Sequence, residues 1–433
     1  MSDAAATPPS VPALSVLTHL GKMPVRAFLA RHWQRTPLVV RQALAGFESP
    51  FAPGMLIELA AREQVESRLV ERSGSRWQLR HGPFRRASIP SRKRTGWTLL
   101  VQGVDLQLNA AADLIARFRF LPDARLDDLM VSYATDGGGV GPHVDSYDVF
   151  LLQALGRRRW RIERRPDPAC TPGLPLQQLA RFRPQQEYVL EPGDLLYLPP
   201  GVAHEGVAVG ECITCSIGFR TPSWADLAAI WSELQAADAP SPHAAFRDRG
   251  IAPSRHPARL PEWMVHQAHR NLLRRQPARK DVARALLRQL SEPKSNVSFE
   301  APHRPMTAAR FAQAARRTGL QTDRRTRMLY SNRTLAINGE LVPLLQPSER
   351  RVLTLLADRR VLAAYDCLHL PLAGTSRLFE WYLAGWLHLC SGPSKSAGAA
   401  LRKPSGGNRK AGGSTPPSDA STQRHARTIV ALR

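Results

Sequence analysis

Cysteine is scarce and odd in number, 5 in 433 residues, which is too few for a disulfide-stapled fold and leaves at least one thiol unpaired. A reducing compartment, the cytoplasm, is therefore expected. Long apolar runs are missing too: no stretch of eighteen apolar residues occurs, and the first twenty residues hold no basic segment leading into an apolar core. Neither a membrane-spanning helix nor a secretory signal is expected. Acidic residues are few, with 36 Asp and Glu against 60 Lys and Arg and a formal net charge of +24. The imbalance is local, since residues 241–340 carry 20 Lys and Arg against 7 Asp and Glu. Such a segment suits RNA or a ribonucleoprotein, because neutralising phosphates releases counterions; a solvated, arginine-rich surface is the other reading.

What the chain does have is apolar residues enough, 43%, for a mostly globular protein, and length enough for two or three domains. Two motifs carry chemistry. The first is Gly141-Pro-His143-Val-Asp145; the second, sixty-one residues after His143, is Gly193-Asp-Leu-Leu-Tyr-Leu-Pro-Pro-Gly-Val-Ala-His204. Two imidazoles and a carboxylate form the ligand set of a non-haem iron(II) oxygenase, although zinc also accepts these ligands. His143 and Asp145 are two apart, so on an extended stretch they leave the same face. His204 follows a Pro-Pro-Gly turn after the apolar run 195–198, in a hairpin able to return its ring to the same mouth.

Strand alternation sorts the run Arg157-Arg-Arg-Trp-Arg-Ile162. Arg157, Arg159 and Arg161 share one face, while Arg158 shares the other with Trp160 and Ile162. If the apolar face points inward, Arg158 is a buried cation in need of an anion. A dicarboxylate such as 2-oxoglutarate would supply one in a bidentate fork; an internal carboxylate is the alternative. Gly137-Gly-Gly-Val-Gly141 lacks the following Lys-Ser/Thr of a phosphate loop and is read instead as backbone that must pass close to a neighbour. Cys212 and Cys215 are three apart in a β-like run, hence on opposite faces, and are read as core cysteines. Tyr147 and Asp148 are candidate substrate contacts, with aromatic packing and a surface-loop carboxylate as the alternatives.

The predicted strands are 98–101, 129–134, 149–153, 159–163, 188–190, 194–198 and 212–219, after a helix near 25–33. Many short strands joined by Gly and Pro turns, with the ligands at one end, describe a mixed β and α chain built on a double-stranded β-helix, the jelly-roll barrel of cupins. Ser223-Trp-Ala-Asp226 reads as a capping box, and Trp224, Leu227, Ile230, Trp231 and Leu234 fall on one helical face. Further helices are predicted at 260–274 and 280–290. This helical region is expected to form a homodimer, packing on its own barrel being nearly as favoured. Helices at 307–317 and 348–356, paired β-runs at 327–330 and 334–337 with an Asn338-Gly339 turn, and a closing helix at 377–389 suggest a winged-helix-like module. The domains are therefore placed at 1–12 (disordered), 13–221 (barrel), 222–299 (helical dimerisation region), 300–390 (winged-helix-like) and 391–433 (disordered basic tail).

Gly137-Gly-Gly-Val-Gly-Pro-His143-Val-Asp145-Ser-Tyr-Asp-Val-Phe150, Gly156-Arg-Arg-Arg-Trp160 and Glu191-Pro-Gly-Asp-Leu-Leu-Tyr-Leu-Pro-Pro-Gly-Val-Ala-His204-Glu-Gly206 resemble the bacterial JmjC-type ribosomal oxygenases. Within that family the likeness is to the arginine hydroxylases of large-subunit ribosomal protein L-sixteen, and it runs from about Ala13 to about Cys390. The resemblance implies that His143, Asp145 and His204 bind iron(II), that Arg158 and Ser132 bind 2-oxoglutarate, and that O2 is consumed in 3-hydroxylating an arginine of the ribosomal protein. A histidyl or lysyl hydroxylase or demethylase of the same superfamily, or a non-catalytic nucleic-acid-binding winged-helix regulator, are the rival readings.

Overall fold

The computed structural model describes residues 16–220, 222–237, 264–266, 278–331, 333–344, 346–368 and 372–390. The predicted helix at 260–274 lies outside them except for 264–266, as do the segments 1–12 and 391–433. After a short helix α1 (Val25–Arg31), the chain builds a 10-stranded antiparallel sheet. Its strands are β1 (Leu38–Val40), β2 (Ser67–Ser73), β3 (Arg76–His81), β4 (Trp97–Val101), β5 (Leu126–Ala134), β6 (His143–Val144), β7 (Asp148–Glu163), β8 (Gln186–Leu190), β9 (Leu195–Leu198) and β10 (Ala203–Phe219). The main path runs β1-β9-β7-β10-β5-β4-β2-β3, with β8 on β7 and β6 on β10.

Two long strands turn this sheet into a roll. β7 and β10 pair over almost their whole length, Ala203 opposite Glu163 at one end and Phe219 opposite Asp148 at the other. Halfway along, the register shifts between Val209 and Ile213, a bulge that bends both strands. Gly156 lies in this bend at φ +61°, where a Cβ would stand 2.0 Å from the Glu211 carbonyl oxygen. Only glycine fits both constraints.

Predicted strands 149–153 and 159–163 are thus one 16-residue strand, and 212–219 is the second half of a 17-residue one. Gly156 among arginines reads as a turn, but here it is the corner of a continuous ladder. The β2-β3 hairpin was not foreseen, because its alternation is hidden by Arg68, Glu71, Arg72, Arg76 and Arg80.

The first half of β7 alternates between two cores, which is why Val149-Phe-Leu-Leu152 reads as an apolar run. Phe150, Leu152 and Ala154 join the larger cluster with Phe28, Phe118, Tyr197 and Phe219. Val149, Leu151, Trp160 and Ile162 join the smaller one with Leu196, Leu198 and Val202. Cys215 belongs to the larger cluster and Cys212 to a separate one with Ala134 and Ala208. The opposite-face reading of the two cysteines is correct.

Beyond the roll, α2 (Trp224–Ala237) starts with the capping box, Ser223 Oγ accepting from Asp226 N at 3.1 Å and Asp226 Oδ2 accepting from Ser223 N at 2.7 Å. It is followed by α3 (Arg279–Ser291) and α4 (Ala308–Thr318). Strands β11 (Leu320–Thr322), β12 (Met328–Ser331), β13 (Thr334–Ile337), β14 (Glu340–Pro343) and β15 (Val361–Leu362), with helix α5 (Pro347–Arg359), share an apolar cluster around Phe311, Leu335, Leu353 and Trp381. Asn338 and Gly339, at φ 49° and 87°, form the foreseen β13-β14 turn.

The closing element differs from expectation. The helix there is α6 (Leu372–Leu383); Gly385 at φ +75° ends the run, and β16 (Leu387–Leu389) pairs with β11 instead of continuing the helix. Composition alone could not separate these, since both pieces carry leucines that fit either period.

Asp105 is 8% exposed, and its Oδ1 accepts the Leu129 N–H of β5 at 2.8 Å. Burial, helped by the neighbouring Asp128, pushes its carboxyl up to about 7. A raised folded-state value means stability is fully present below the unfolded carboxylate range and declines as pH rises toward 7. Asp105→Asn keeps the acceptor and removes the charge. Its stability relative to wild type should grow by on the order of 1 kcal/mol per pH unit between about pH 4 and 7, measured by urea unfolding across that range; a flat difference would contradict this.

Candidate metal and dianion site

The two ligand motifs meet by backbone pairing, not by side-chain packing alone. In the β6-β10 ladder His143 stands opposite His204, bringing the rings to a centroid distance of 4.3 Å. Asp145 lies just beyond β6, its Oδ1 3.9 Å from His143 Nε2 and its Oδ2 3.7 Å from His204 Nε2. The turn after β9 closes on the same place through Gly201 N–H to the Asp145 carbonyl at 2.9 Å. The three donor groups lie within 4.8 Å of one another.

The tautomers follow from the backbone. His143 Nδ1 is 3.0 Å from the Gly141 carbonyl and His204 Nδ1 is 3.1 Å from the Val202 carbonyl. A carbonyl only accepts, so each Nδ1 carries the proton and each Nε2 presents its lone pair inward. Burial, and then the neighbouring His143, drive the His204 imidazole well below its ordinary value, keeping it neutral as a ligand must be. Burial raises the Asp145 carboxyl above the usual range, with His143 pulling the other way. Two oriented imidazoles and one carboxylate whose donor atoms converge fit a divalent transition metal.

Arg158 is the second half of the site. It is 4% exposed, its Nη1 donating to Ser132 Oγ at 2.9 Å and Thr214 Oγ1 at 3.2 Å. Its guanidinium lies 5.4 Å from the Trp160 ring centroid. No carboxylate partners it among the described residues, and its Nε has no acceptor. Burial lowers its pKa, with Cys212 the only ionisable group acting against that. The internal-carboxylate alternative is therefore not what the structure contains. The Trp160 indole N–H, two residues along on the same face, is also buried without an acceptor. Trp160 stacks toward the site, its ring 5.9 Å from that of His204. Unmatched donors beside a metal site fit an acceptor-rich dianion reaching from one to the other. Arg157 and Arg159 are exposed and Arg161 is partly so, as alternation required.

The two candidate substrate contacts part company. Tyr147 is 43% exposed on the rim, and burial together with the charges of Asp145 and Asp128 holds its hydroxyl protonated well above the usual range. Asp148 is neither on the surface nor near the mouth. It is fully buried on the other face of β7, where it binds Arg125 at 3.0 Å, the Tyr197 hydroxyl at 2.6 Å and Gln34 Nε2 at 2.9 Å. Its role as a substrate contact is withdrawn, because alternation from the inward Val149 already turns it away. Asp128 was missed. On β5 it shares the Ser132 face, 3% exposed and held by Gln102 Nε2 at 2.7 Å and Lys294 Nζ at 3.0 Å. The available signal was the adjacent acids Asp127 and Asp128 at the head of an apolar strand.

Comparison with known proteins gives a consistent picture. Residues 113–227 match the JmjC domain family, and residues 177–309 match the AraC-like ligand binding domain family. The chain is 45% identical over 201 residues to the ribosomal protein uL16 3-hydroxylase of Escherichia coli, covering 46% of this chain and 53% of that protein. It is 39% identical over 205 residues to a probable ribosomal oxygenase of Haemophilus influenzae, covering 46% and 50% respectively. The matched sequence thus spans about half the length of these curated relatives. Among solved structures, E. coli ribosomal oxygenase YcfD aligns with a TM-score of 0.75 at 30% identity, over 86% of this chain and 100% of that one. Its complex with cobalt and 2-oxoglutarate aligns with a TM-score of 0.74, over 86% and 99%.

If Arg158 is retained for a ligand and not for the fold, Arg158→Met should leave urea-unfolding stability within about 1 kcal/mol of wild type, since an unpaired buried cation carries an uncompensated desolvation cost. The same substitution should abolish thermal stabilisation by added dicarboxylate. A loss of about 3 kcal/mol or more would mark Arg158 as structural.

Proposed function

This chain belongs to the JmjC-type ribosomal oxygenases, and from that premise we propose that it is an iron(II)- and 2-oxoglutarate-dependent hydroxylase of a ribosomal protein, its target an arginine of uL16. The observation that carries the reading is the pairing of an inward His143, Asp145 and His204 donor set with a buried Arg158 that has no acid. His143, Asp145 and His204 would hold iron(II), and Arg158 with Ser132 would hold the far carboxylate of 2-oxoglutarate. When bound, iron supplies the activation of O2 that couples decarboxylation of the 2-oxo acid, giving succinate and carbon dioxide, to hydroxylation of an unactivated C–H bond.

The protein's own part is positioning. The Nδ1–H bonds to Gly141 and Val202 fix the two imidazoles; the Arg158 fork and the Ser132 hydroxyl fix the co-substrate's distance from them; the surrounding Val149, Leu151 and Ile162 side chains exclude water. No general base is assigned, since hydrogen is taken from carbon without acid–base catalysis. Tyr147, with the Asp128 carboxylate behind it, offers a basic target side chain a hydroxyl and a negative field at the rim.

Finer assignments accompany this reading. We assign residues 13–221 to the oxygenase barrel, 222–299 to a helical dimerisation region and 300–390 to a winged-helix-like module. Dimerisation is supported by α2, whose Trp224, Leu227 and Trp231 are 87%, 37% and 43% exposed. Contact with ribosomal RNA is supported by the basic 241–340 segment, and a cytoplasmic site of action by the scarcity of cysteine. None of the described helices is long and apolar enough to cross a membrane.

Incubation of the full chain with iron(II), 2-oxoglutarate, O2 and a uL16 peptide should add the mass of one oxygen atom to an arginine, with matching succinate. His143→Ala should lower the rate at least a hundredfold. A histidine or lysine of a ribosomal protein that loses the added oxygen mass in cells lacking this chain, as read by tandem mass spectrometry, would move the target; no iron-dependent turnover on any of these proteins would overturn the activity.

A further inference from the structure

The excursion between β7 and β8, residues 164–185, is mostly exposed, yet Gln178 and Leu179 are buried to 4% and 7%. It doubles back on itself: Cys170 and Leu179 form a bridge, Thr171 N–H donates to the Gln178 carbonyl at 2.8 Å, and Ala180 N–H donates to the Ala169 carbonyl at 2.8 Å. Its root is tied down where Arg183 N–H meets Glu163 Oε2 at 2.6 Å.

The tip grips the loop that carries His143. Gln178 Nε2 donates to the Val140 carbonyl at 2.8 Å, and Leu179 N–H donates to the Pro142 carbonyl at 2.9 Å. These two carbonyls bracket that of Gly141, which receives the His143 Nδ1–H. A Cβ on Gly141 would stand 2.5 Å from Gln178 Nε2, so the amide lies directly on that glycine. The other end of the loop is fastened independently, Gly137 N–H to the Ala208 carbonyl at 3.0 Å and Ala208 N–H to the Gly138 carbonyl at 2.9 Å, on the strand that bears His204.

We propose that this excursion is a positioning strap for the metal centre, and that the Gln178 side-chain amide sets the direction of the Gly141 carbonyl and hence of the His143 ring. Gln178 acts through the backbone and touches neither metal nor substrate. Such outer contacts commonly change metal affinity tenfold to a hundredfold. The inference rests on the metal reading above but concerns a residue and a loop which that reading does not use.

The test is titration of the full, metal-stripped chain with cobalt(II), followed by the visible absorption of the bound ion, with thermal unfolding of the metal-free protein as the folding control. Gln178→Ala should raise the cobalt dissociation constant roughly tenfold or more and alter the absorption of the bound ion. Gln178→Glu preserves size but, ionised, cannot donate to Val140, and should behave like Gln178→Ala. Gln177→Ala, an exposed neighbour in the same loop, should match wild type, and the metal-free melting points of all four proteins should agree. Wild-type affinity and spectrum in Gln178→Ala, or in Gln178→Glu, would overturn the strap's role while leaving the metal site intact. Failure of the wild type to bind cobalt saturably would overturn the metal reading and the strap with it.

Discussion

The pairing of β7 with β10 is the constraint on which the rest of this structure depends. It fixes His204 and Arg158 on neighbouring strands, since Ala208 faces Arg158 and His204 faces Ile162 in one ladder. Because side chains alternate strictly along a strand, a one-residue slip would turn Arg158 out and bring Arg157 or Arg159 in. The bend at Gly156 then lets the same two strands pair again on the other side, where Phe150 and Phe219 complete the larger core. The β7-β10 register thus anchors His204 and Arg158, and the β6-β10 pairing adds His143 opposite His204, so that the backbone sets how far apart the metal donors and the dianion donors are anchored.

Much of the candidate site was legible because its chemistry is local in sequence. His143 and Asp145 are two apart, and Arg158 declares its direction by sharing parity with Trp160 and Ile162. What could not be read was non-local. That Arg158 lacks an acid depends on which strands flank it, and only the pairing of β10 with both β7 and β5 shows that Ser132 and Thr214 stand there instead. The error at Asp148 has the same origin: adjacency to the ligands suggested the mouth, while the partners that bury it, Gln34, Arg125 and Tyr197, lie 114, 23 and 49 residues away. The fold was legible in strand content but not in strand length, because a bulged corner and a turn share the same glycine.

Asp148 and Arg158 show how differently this roll treats buried charge on its two faces. On the outer face the Asp148 carboxylate is matched by a guanidinium, a phenol and an amide, a closed network that stiffens the junction of α1, β7 and β9. On the inner face Arg158 has only two hydroxyls, and the Trp160 N–H has nothing. A fold selected for stability alone would pair or replace such groups. These donors stand beside two imidazoles whose lone pairs converge, an arrangement that suits the anionic co-substrate proposed above.

Under the proposed function a chain of net charge +24 would act on a basic protein. Global charge sets long-range approach, but beyond about 10 Å it is largely screened at physiological salt. At Tyr147 the charges of Asp145, Asp128 and Asp127 act on the hydroxyl in one direction and that of Arg68 in the other. Lys294 lies against both Asp127 and Asp128, at 3.4 and 3.0 Å, and so connects this acidic rim to the segment following α3. A basic target side chain of the kind proposed above would meet there carboxylates already matched by an internal cation.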